Sequence, residues 1–304
     1  LSKAFVQAAK QLGFPPNEDF AGPQQRGFGL FQVTQRNGRR ESAATAFLEP
    51  ALDRPNLTIR THARVTSLRW EGRRCVGVVY RRDGATQKVS ADTEVILSAG
   101  AINSPQLLML SGVGPADDLA ELDIDPVVDL PGVGRNLQDH PVAFLCQVCT
   151  EPVSLAAAET ATNFAKYLAG GTGMLTSNVG EAGGFIHSGE DDGEIPDLQF
   201  HFAPAYFIEH GRVEPPGHGF TIGPTLVMPH SRGYIALRSA DPFDAPTVEP
   251  RYLADERDGA RLVQGLEIAR RIAAAPAFDR YRGAEYLPGG RADDPASLLS
   301  YVRR

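Results

Sequence analysis

The 304-residue sequence predicts a mixed fold, an α/β part joined to a part built on an antiparallel sheet flanked by helices. Three observations carry this. A β-branched run, Val95-Ile96-Leu97, passes through the small residues Ser98-Ala99-Gly100-Ala101 into an apolar helical stretch that Ser104-Pro105 opens and Gly112 closes, the strand-to-helix step of a layered α/β sheet. Short alternating runs separated by turn signals precede it and return after residue 197, as antiparallel sheets require. Apolar residues at helical spacing recur near both chain ends.

The elements follow in order. Phe5, Ala8, Ala9 and Leu12 share one face and stop at Gly13, which predicts a helix with a glycine cap. Residues 15–29, "PPNEDFAGPQQRGFG", are loop by composition. Ser42 opens the helical "SAATAFLEPAL", disturbed at Pro50. From residue 56 the period alternates in "NLTIRTHA", "RVTSLRWEG", "RCVGVVYRRDG" and "QKVSADTEVILSAG", with reversals at Glu71-Gly72 and Asp83-Gly84. This predicts a small antiparallel sheet feeding a buried strand over 94–98. After a helix over 104–111, residues 115–141 read as a short helix, a strand and a turn that close the first unit.

"VAFLCQVCT" (142–150) reads as a strand, Leu155 to Leu168 as a weakly amphipathic helix, and "SGEDDGEIP" (188–196) as an exposed acidic loop. "DLQFHFAPAYF", "GFTIGPTLVMP" and "RGYIALRS" are strand candidates for one antiparallel sheet. "DGARLVQGLEIARRIAAA" (258–275) aligns Leu262, Leu266, Ile268, Ala269 and Ile272 on one helical face. Asp294 before Pro295 starts a last helix as its N-cap.

A formal net charge of -7, with acidic and basic residues interspersed, supplies no electrostatic footprint for nucleic acid or an anionic membrane surface. No apolar run approaches the ~20 residues of a membrane helix, and the first residues lack a secretory signal. The expectation is a soluble, cytoplasmic chain with no nucleic-acid partner. Three cysteines are too few for a disulfide framework; Cys146-x-x-Cys149 has no second pair to complete a zinc site and reads as two packed thiols on opposite faces of a strand.

The corner Ser98-Ala99-Gly100-Ala101 admits two readings: a ligand approaches bare main chain there, or strand and helix pack tightly against each other. Gly132-Val133-Gly134 begins like a dinucleotide-binding turn, but Leu137 stands at the third glycine position and no helix follows, which favours an ordinary turn. None of the seven histidines has metal-ligand spacing. On an alternating strand His201 points away from Phe200 and Phe202, so it either faces a pocket or is an ordinary satisfied histidine. Ser111 in "LSGVG" is not a nucleophile elbow.

Taken together these pieces resemble the glucose-methanol-choline family of FAD-dependent oxidoreductases. Gly100-Ala101, Ser104-Pro105, Leu107-Leu108 and Ser111-Gly112-Val113-Gly114 match the second diagnostic motif of that family at every defined position. "GRRESAATAFLEPAL" (38–52), "RVTSL" (64–68), "PGVGRNLQDHP" (131–141), "PHSRGYIALRSADP" (229–242) and "PRYLADERDGARL" (250–262) follow in family order. The likeness covers nearly the whole chain.

The resemblance implies an FAD-binding domain over 30–140, a substrate domain over 141–290 with 1–29 packed near it, and a return toward the FAD domain over 291–304. It places Val65, Ser98, Ala99, Gly100, Ala101 and Ser104 beside the adenosine half of FAD, where a large side chain would occupy the cofactor's volume. Phe200, His201, Phe202 and Tyr206 are then candidates for the wall of a pocket. The implied reaction is oxidation of a primary alcohol to an aldehyde, with a base taking the hydroxyl proton and hydride passing to the flavin. The glycine-rich turn and the His-Pro-x-Gly-Thr segment of family members are absent from these residues. The resemblance therefore implies the central piece of a longer enzyme, inactive alone, whose partners are a small alcohol and the missing flanking segments, and it assigns no catalytic residue here. Choline-oxidising relatives carry a carboxylate after the His-Pro of the "LQDHP" segment; here Val142 stands there, which favours a neutral, partly apolar alcohol. A redox-silent hydroxynitrile lyase of the same fold, or a catalytically inert binding piece, are the alternatives.

Overall fold

The computed structural model describes residues 1–189, 195–213, 215, 217–290 and 292–304. Its helices are α1 Ser2–Gln11, α2 Gly100–Leu110, α3 Ala116–Ala120, α4 Ala161–Gly170, α5 Glu256–Ala274 and α6 Pro295–Val302. In the first half of the chain the strands are β1 Gly27–Leu30, β2 Gln35–Arg36, β3 Arg39–Arg40, β4 Arg64–Glu71, β5 Arg74–Arg82, β6 Ala85–Ser90, β7 Val113–Gly114, β8 Val128–Asp129, β9 Arg135–Leu137 and β10 Leu145–Cys149. The second half adds β11 Ala182–Ile186, β12 Leu198–Ala203, β13 Gly219–Leu226, β14 Gly233–Ala236, β15 Thr247–Glu249 and β16 Arg282–Leu287. Two compact units result, each assembled from separated stretches. The first comprises Leu1–Leu52, His140–His230 and Asp255–Arg304, and the second Asp53–Asp139 and Ser231–Ala254.

The first unit is a six-stranded antiparallel sheet in the order β1-β11-β12-β13-β10-β16, with α1 and α5 packed on it. Period-two alternation sends Leu198, Phe200 and Phe202 of β12 into the core, where each is 0% exposed. Phe202 stacks on Phe5 of α1 with centroids 4.8 Å apart, and Phe220 stacks on Phe278 at 4.7 Å. Each such buried ring stabilises the unit by about 1.5–3 kcal/mol. α5 lies close to β13 because Gly265 has no side chain: a Cβ there would come within 2.6 Å of Pro224. Its predicted face is buried at Leu262, Leu266, Ala269 and Ile272. Asp294 caps α6 through the amides of Ala296 and Ser297 in a capping box, as expected.

The second unit holds the antiparallel sheet β4-β5-β6, turned at Gly72 and at Asp83-Gly84, all three with positive φ. A second sheet, β15-β14-β9, and the parallel pair β7-β8 complete it, with α2 against β4.

Several expectations are corrected. "RGYIALRS" supplies β14 in the second unit, not a strand beside β12 and β13; it pairs with the next strand, β15, and with β9, which is distant in sequence, so alternation alone could not assign its sheet. The run 56–63 forms no strand. Part of the expected loop 15–29 is β1: its glycines mark close backbone approach, since a Cβ on Gly29 would lie 1.8 Å from the carbonyl oxygen of Asn17. The segment after Ser42 is helical, but as a π-turn over Ala44–Leu48 and a 3-10 turn over Glu49–Ala51. The expected helix 155–168 is split into a 3-10 turn, Leu155–Ala157, and α4, which Thr160 caps through the Asn163 amide. The acidic loop expectation at 190–194 lies outside the described residues.

The buried strand expected over 94–98 is an extended, unpaired segment, with Ile96 77% exposed. Among the described residues no neighbouring strand offers it a ladder, and a β-rich run without a ladder stays open on its edges. α2 also begins at Gly100, four residues before Ser104. Pro105 forgoes one intrahelical bond, and the Ser104 Oγ accepts the Ala99 N–H at 3.2 Å.

Candidate functional site

The corner between the 94–98 segment and α2 opens onto a cleft of ≈ 550 Å³ in the second unit. Arg64 and Val65 of β4, Leu97, Ser98 and Ala99 of the corner, and Gln106 of α2 are among its lining residues, and Pro242 adds wall from a third stretch of chain. Three of the six expected cofactor residues, Val65, Ser98 and Ala99, therefore meet in one cavity. Gly100 stands beside them with φ +82°, and a Cβ built on it meets no atom within 4 Å. The bare corner faces free space and is not plugged by the chain itself. No main-chain hydrogen bond among the described residues engages 94–98.

Ser104 and Ala101 take other places. Ser104 bonds the Ala99 amide and so holds the corner at the start of α2. Ala101 lines a neighbouring cavity of ≈ 410 Å³ with Pro105, Gly134, Arg135, Asn136, Leu137, Gln138 and Ile235. Gly134 has φ +79°, and a Cβ there would lie 2.2 Å from the carbonyl oxygen of Ile235. The second glycine of "GVG" thus lets two backbones touch, while Gly132 borders open space. "PGVG" is a turn, as expected.

In the first unit the expected pocket residues part company. Phe200 and Phe202 are not wall residues: strand alternation buries both in the ring cluster on the helix-covered side. His201 alone projects from the opposite face, exposed, with Gly183 of β11 and Gly223 of β13 as its cross-strand partners. Side chains from elsewhere fill the space those glycines leave. The Phe31 ring covers Gly183, and its centroid lies 5.9 Å from that of His201. Val142 and Phe144 cover Gly223, and Phe144 meets Phe207 edge-on at 5.3 Å. Tyr206 is half-buried with its ring over Gly219, 5.6 Å from Tyr286. Partial desolvation, with His140 nearby, lowers the His201 pKa below the ordinary imidazole value, so the ring is neutral near pH 7. Desolvation raises the Tyr206 phenol, with Cys146 adding to it. Phe31 and Phe144 escaped sequence reasoning; the signal for them was glycine inside two strands, the Gly183-Gly184 pair of β11 and Gly223 of β13.

Among the described residues no group of three or more His, Cys, Asp and Glu side chains could hold a metal ion, and no helix is long and apolar enough to cross a membrane. Cys146 and Cys149 are buried free thiols.

Residues 1–142 match a family model described as GMC oxidoreductase, and residues 229–303 match a second model of that description. The chain is 43% identical over 307 residues to mitochondrial choline dehydrogenase of Mus musculus, covering 100% of this chain and 51% of that protein. It is 42% identical over 310 residues to alcohol dehydrogenase (acceptor) of Pseudomonas putida, covering 100% of this chain and 56% of that one. Pyridoxine 4-oxidase from Mesorbium loti superposes with a TM-score of 0.86 at 27% identity, over 100% of this chain and 56% of that chain. Formate oxidase shares the fold, with a TM-score of 0.89 at 24% identity over 99% and 58% of the two chains. The chain spans about half the length of the curated relatives it matches. With both family models matched in order and relatives aligned along its whole length, the chain belongs to the GMC oxidoreductase family.

Proposed function

We propose that the cleft of the second unit cradles the adenosine half of FAD, and that the His201 face of the first unit meets a neutral alcohol, in an enzyme that oxidises primary alcohols to aldehydes. The observation that carries this reading is the open corner: Val65, Ser98 and Ala99 line one cavity, beside a glycine whose missing side chain leaves free space. The site fits the group by its own chemistry. Apolar walls from Val65, Leu97 and Leu107 suit a planar heterocycle, and the unpaired main chain of 94–98 offers donors and acceptors to its edge.

When bound, FAD supplies the hydride acceptor for a carbinol carbon. The residues of this chain bind and orient. Ser98 and Ala99 leave room for the adenosine, and Ser104 holds the Ala99 amide that sets the corner. Neutral His201, framed by Phe31, can hydrogen-bond a substrate hydroxyl without adding charge to an apolar surface. It is a binding residue in this reading and not the base. Val142, beside Gly223 on the same sheet, brings no negative charge for a quaternary ammonium. Relatives named choline dehydrogenase and alcohol dehydrogenase fit oxidation of CH–OH groups.

Two measurements test the reading. Amide NMR of the chain titrated with ADP is expected to shift the Val65 and Ser98–Gly100 signals; shifts confined to other residues would remove the cleft assignment. An enzyme that carries this chain together with its flanking segments is expected to show higher kcat/KM for aliphatic or aromatic primary alcohols than for choline, and a preference for choline would overturn the substrate part.

A further inference from the structure

The sheet β4-β5-β6 of the second unit ends in an open edge. Among the described residues β6 pairs with β5 alone, and all six of its residues, Ala85–Ser90, are exposed. Its hydrogen-bonding phase is fixed at both ends. The two-residue turn Asp83-Gly84, with φ of +50° and +78°, closes on the pair Arg82 and Ala85, and beyond the other end the Ala91 amide donates to the Val76 carbonyl at 2.9 Å. In an antiparallel ladder, pairs that exchange hydrogen bonds alternate with pairs that do not, so Ala85, Gln87 and Val89 are the residues bonded to β5. The N–H and C=O groups of Thr86, Lys88 and Ser90 therefore point away from the sheet.

The side chains of these three residues share one face with their cross-strand neighbours. Register sets Thr86 beside Arg81, Lys88 beside Val79 and Ser90 beside Gly77, and carries the face on to Arg64, Ser67 and Arg69 of β4. Arg69 reaches across Gly77, and its Nη1 donates to Ser90 Oγ at 3.1 Å, which brings a guanidinium to the open edge. The chain has a net charge of -7, yet residues 64–90 hold seven Lys and Arg against two Asp and Glu. Within that stretch the one ion pair among the described residues is Arg82 with Asp83, at 3.4 Å. Arg64 and Arg81 stand opposite each other with their guanidinium carbons 5.2 and 5.3 Å from the Phe243 ring centroid, and the aromatic face offsets their repulsion. Lys88 and Arg69 have no carboxylate partner there.

An exposed strand edge is a template for another strand, and the charges beside it select which one. A second copy of β6 would bring lysine to lysine. An extended segment with acidic residues at every other position would continue the ladder through the outward groups of Thr86, Lys88 and Ser90 and set its carboxylates against Lys88 and Arg69. We infer that β6 accepts an acidic, extended segment of a partner protein as the fourth strand of this sheet.

The test titrates the chain by amide NMR with the peptide Glu-Val-Glu-Thr-Glu-Val-Glu. The Thr86, Lys88 and Ser90 amides are expected to shift and to exchange with solvent more slowly as they gain acceptors, while the same peptide with Lys in place of Glu leaves them unmoved. Lys88→Glu, at an exposed position, is expected to weaken binding at least about tenfold, and added salt to weaken it further. Thr86→Pro removes one outward donor and no bond to β5, and is expected to cost at least about tenfold as well. The acidic peptide N-methylated at every residue keeps its charge, lacks donors and is expected not to bind, a readout that leaves the protein unaltered. Absent binding, equal binding of the Lys peptide, or binding of the N-methylated peptide would each overturn the inference. So would phosphatidylserine vesicles that bind wild type and Thr86→Pro alike while the peptide does not, which would give the face to lipid headgroups, or a dimer in sedimentation that Thr86→Pro abolishes, which would give the edge to a second copy.

Discussion

The indole Nε1–H of Trp70 donates to the main-chain carbonyl of Ser111 at 2.7 Å. The Oγ of the same serine accepts the Leu68 amide at 2.8 Å and donates to the Leu107 carbonyl at 2.7 Å. One residue at the end of α2 therefore fastens the helix to β4, the two elements that contribute Leu107 and Val65 to the cleft.

Ser111→Ala strips the acceptor from the Leu68 amide, at a residue 7% exposed. A buried donor left unpaired costs about 1–3 kcal/mol. Trp70 is the only tryptophan, so its emission reports this contact directly. The variant is expected to melt lower and to emit at longer wavelength; an unchanged melting curve would show that the Ser111 bonds contribute nothing to stability.

Ala99→Leu places a side chain in the cleft at an exposed position with φ -88°. The fold is expected to tolerate it, with a stability change within about 0.5 kcal/mol, as for ordinary surface substitutions. ADP affinity is expected to fall at least about tenfold, because the added atoms occupy ligand volume. Titration by NMR or calorimetry measures both consequences on the same sample, and full retention of affinity would place the nucleotide elsewhere.

The two glycines of "GVG" are expected to respond differently. Gly134→Ala drives a Cβ to 2.2 Å from the Ile235 carbonyl oxygen at a φ of +79°, a combined clash and strain of about 2–4 kcal/mol. Gly132→Ala meets nothing within 4 Å and is expected to be nearly neutral. Urea midpoints compare the two, and equal losses would contradict the backbone contact between Gly134 and Ile235.

Burial raises the Cys146 thiol above its ordinary value, with the Thr221 hydroxyl only partly opposing it. Above the ordinary thiol pKa the folded chain keeps a proton that the unfolded chain gives up. Stability is therefore expected to fall as pH climbs through that window, and the half-buried phenol of Tyr301, pushed up to about 12, adds a loss of the same sign at higher pH. Urea midpoints between about pH 8 and about pH 10 follow the thiol contribution. An alkylating reagent is expected to modify half-buried Cys75 first and to reach Cys146 and Cys149 only on unfolding. Rapid labelling of all three would contradict the buried positions.

Where local chemistry decides, the fold was legible in the sequence. The glycine after α1, the Asp294 cap of α6, the apolar stripe of α5 and the turns at Gly72 and Gly84 each rest on a few neighbouring residues. Where a partner decides, it was not. β14 reads like β12 and β13 but joins another sheet, and the 94–98 run reads like a buried strand yet has no strand beside it among the described residues. The cleft shows the same division. Small side chains at Ser98 to Gly100 marked the open corner, whereas Gln106 and Pro242 reach the cleft through bonds to residues far away in sequence. Phe200 and Phe202 were misplaced because alternation tells which residues share a face and not which face is the core.

Because each unit is stitched from separated stretches, their completion during synthesis is ordered. The last residue of the second unit is Ala254, while the large sheet of the first waits for β16, whose Arg282–Leu287 pairs with β10. Emerging from the ribosome, every stretch of the second unit is made while the six-stranded sheet of the first still lacks an edge strand. For the same reason no single cut separates the units, and each can be produced alone only by splicing out the intervening stretches.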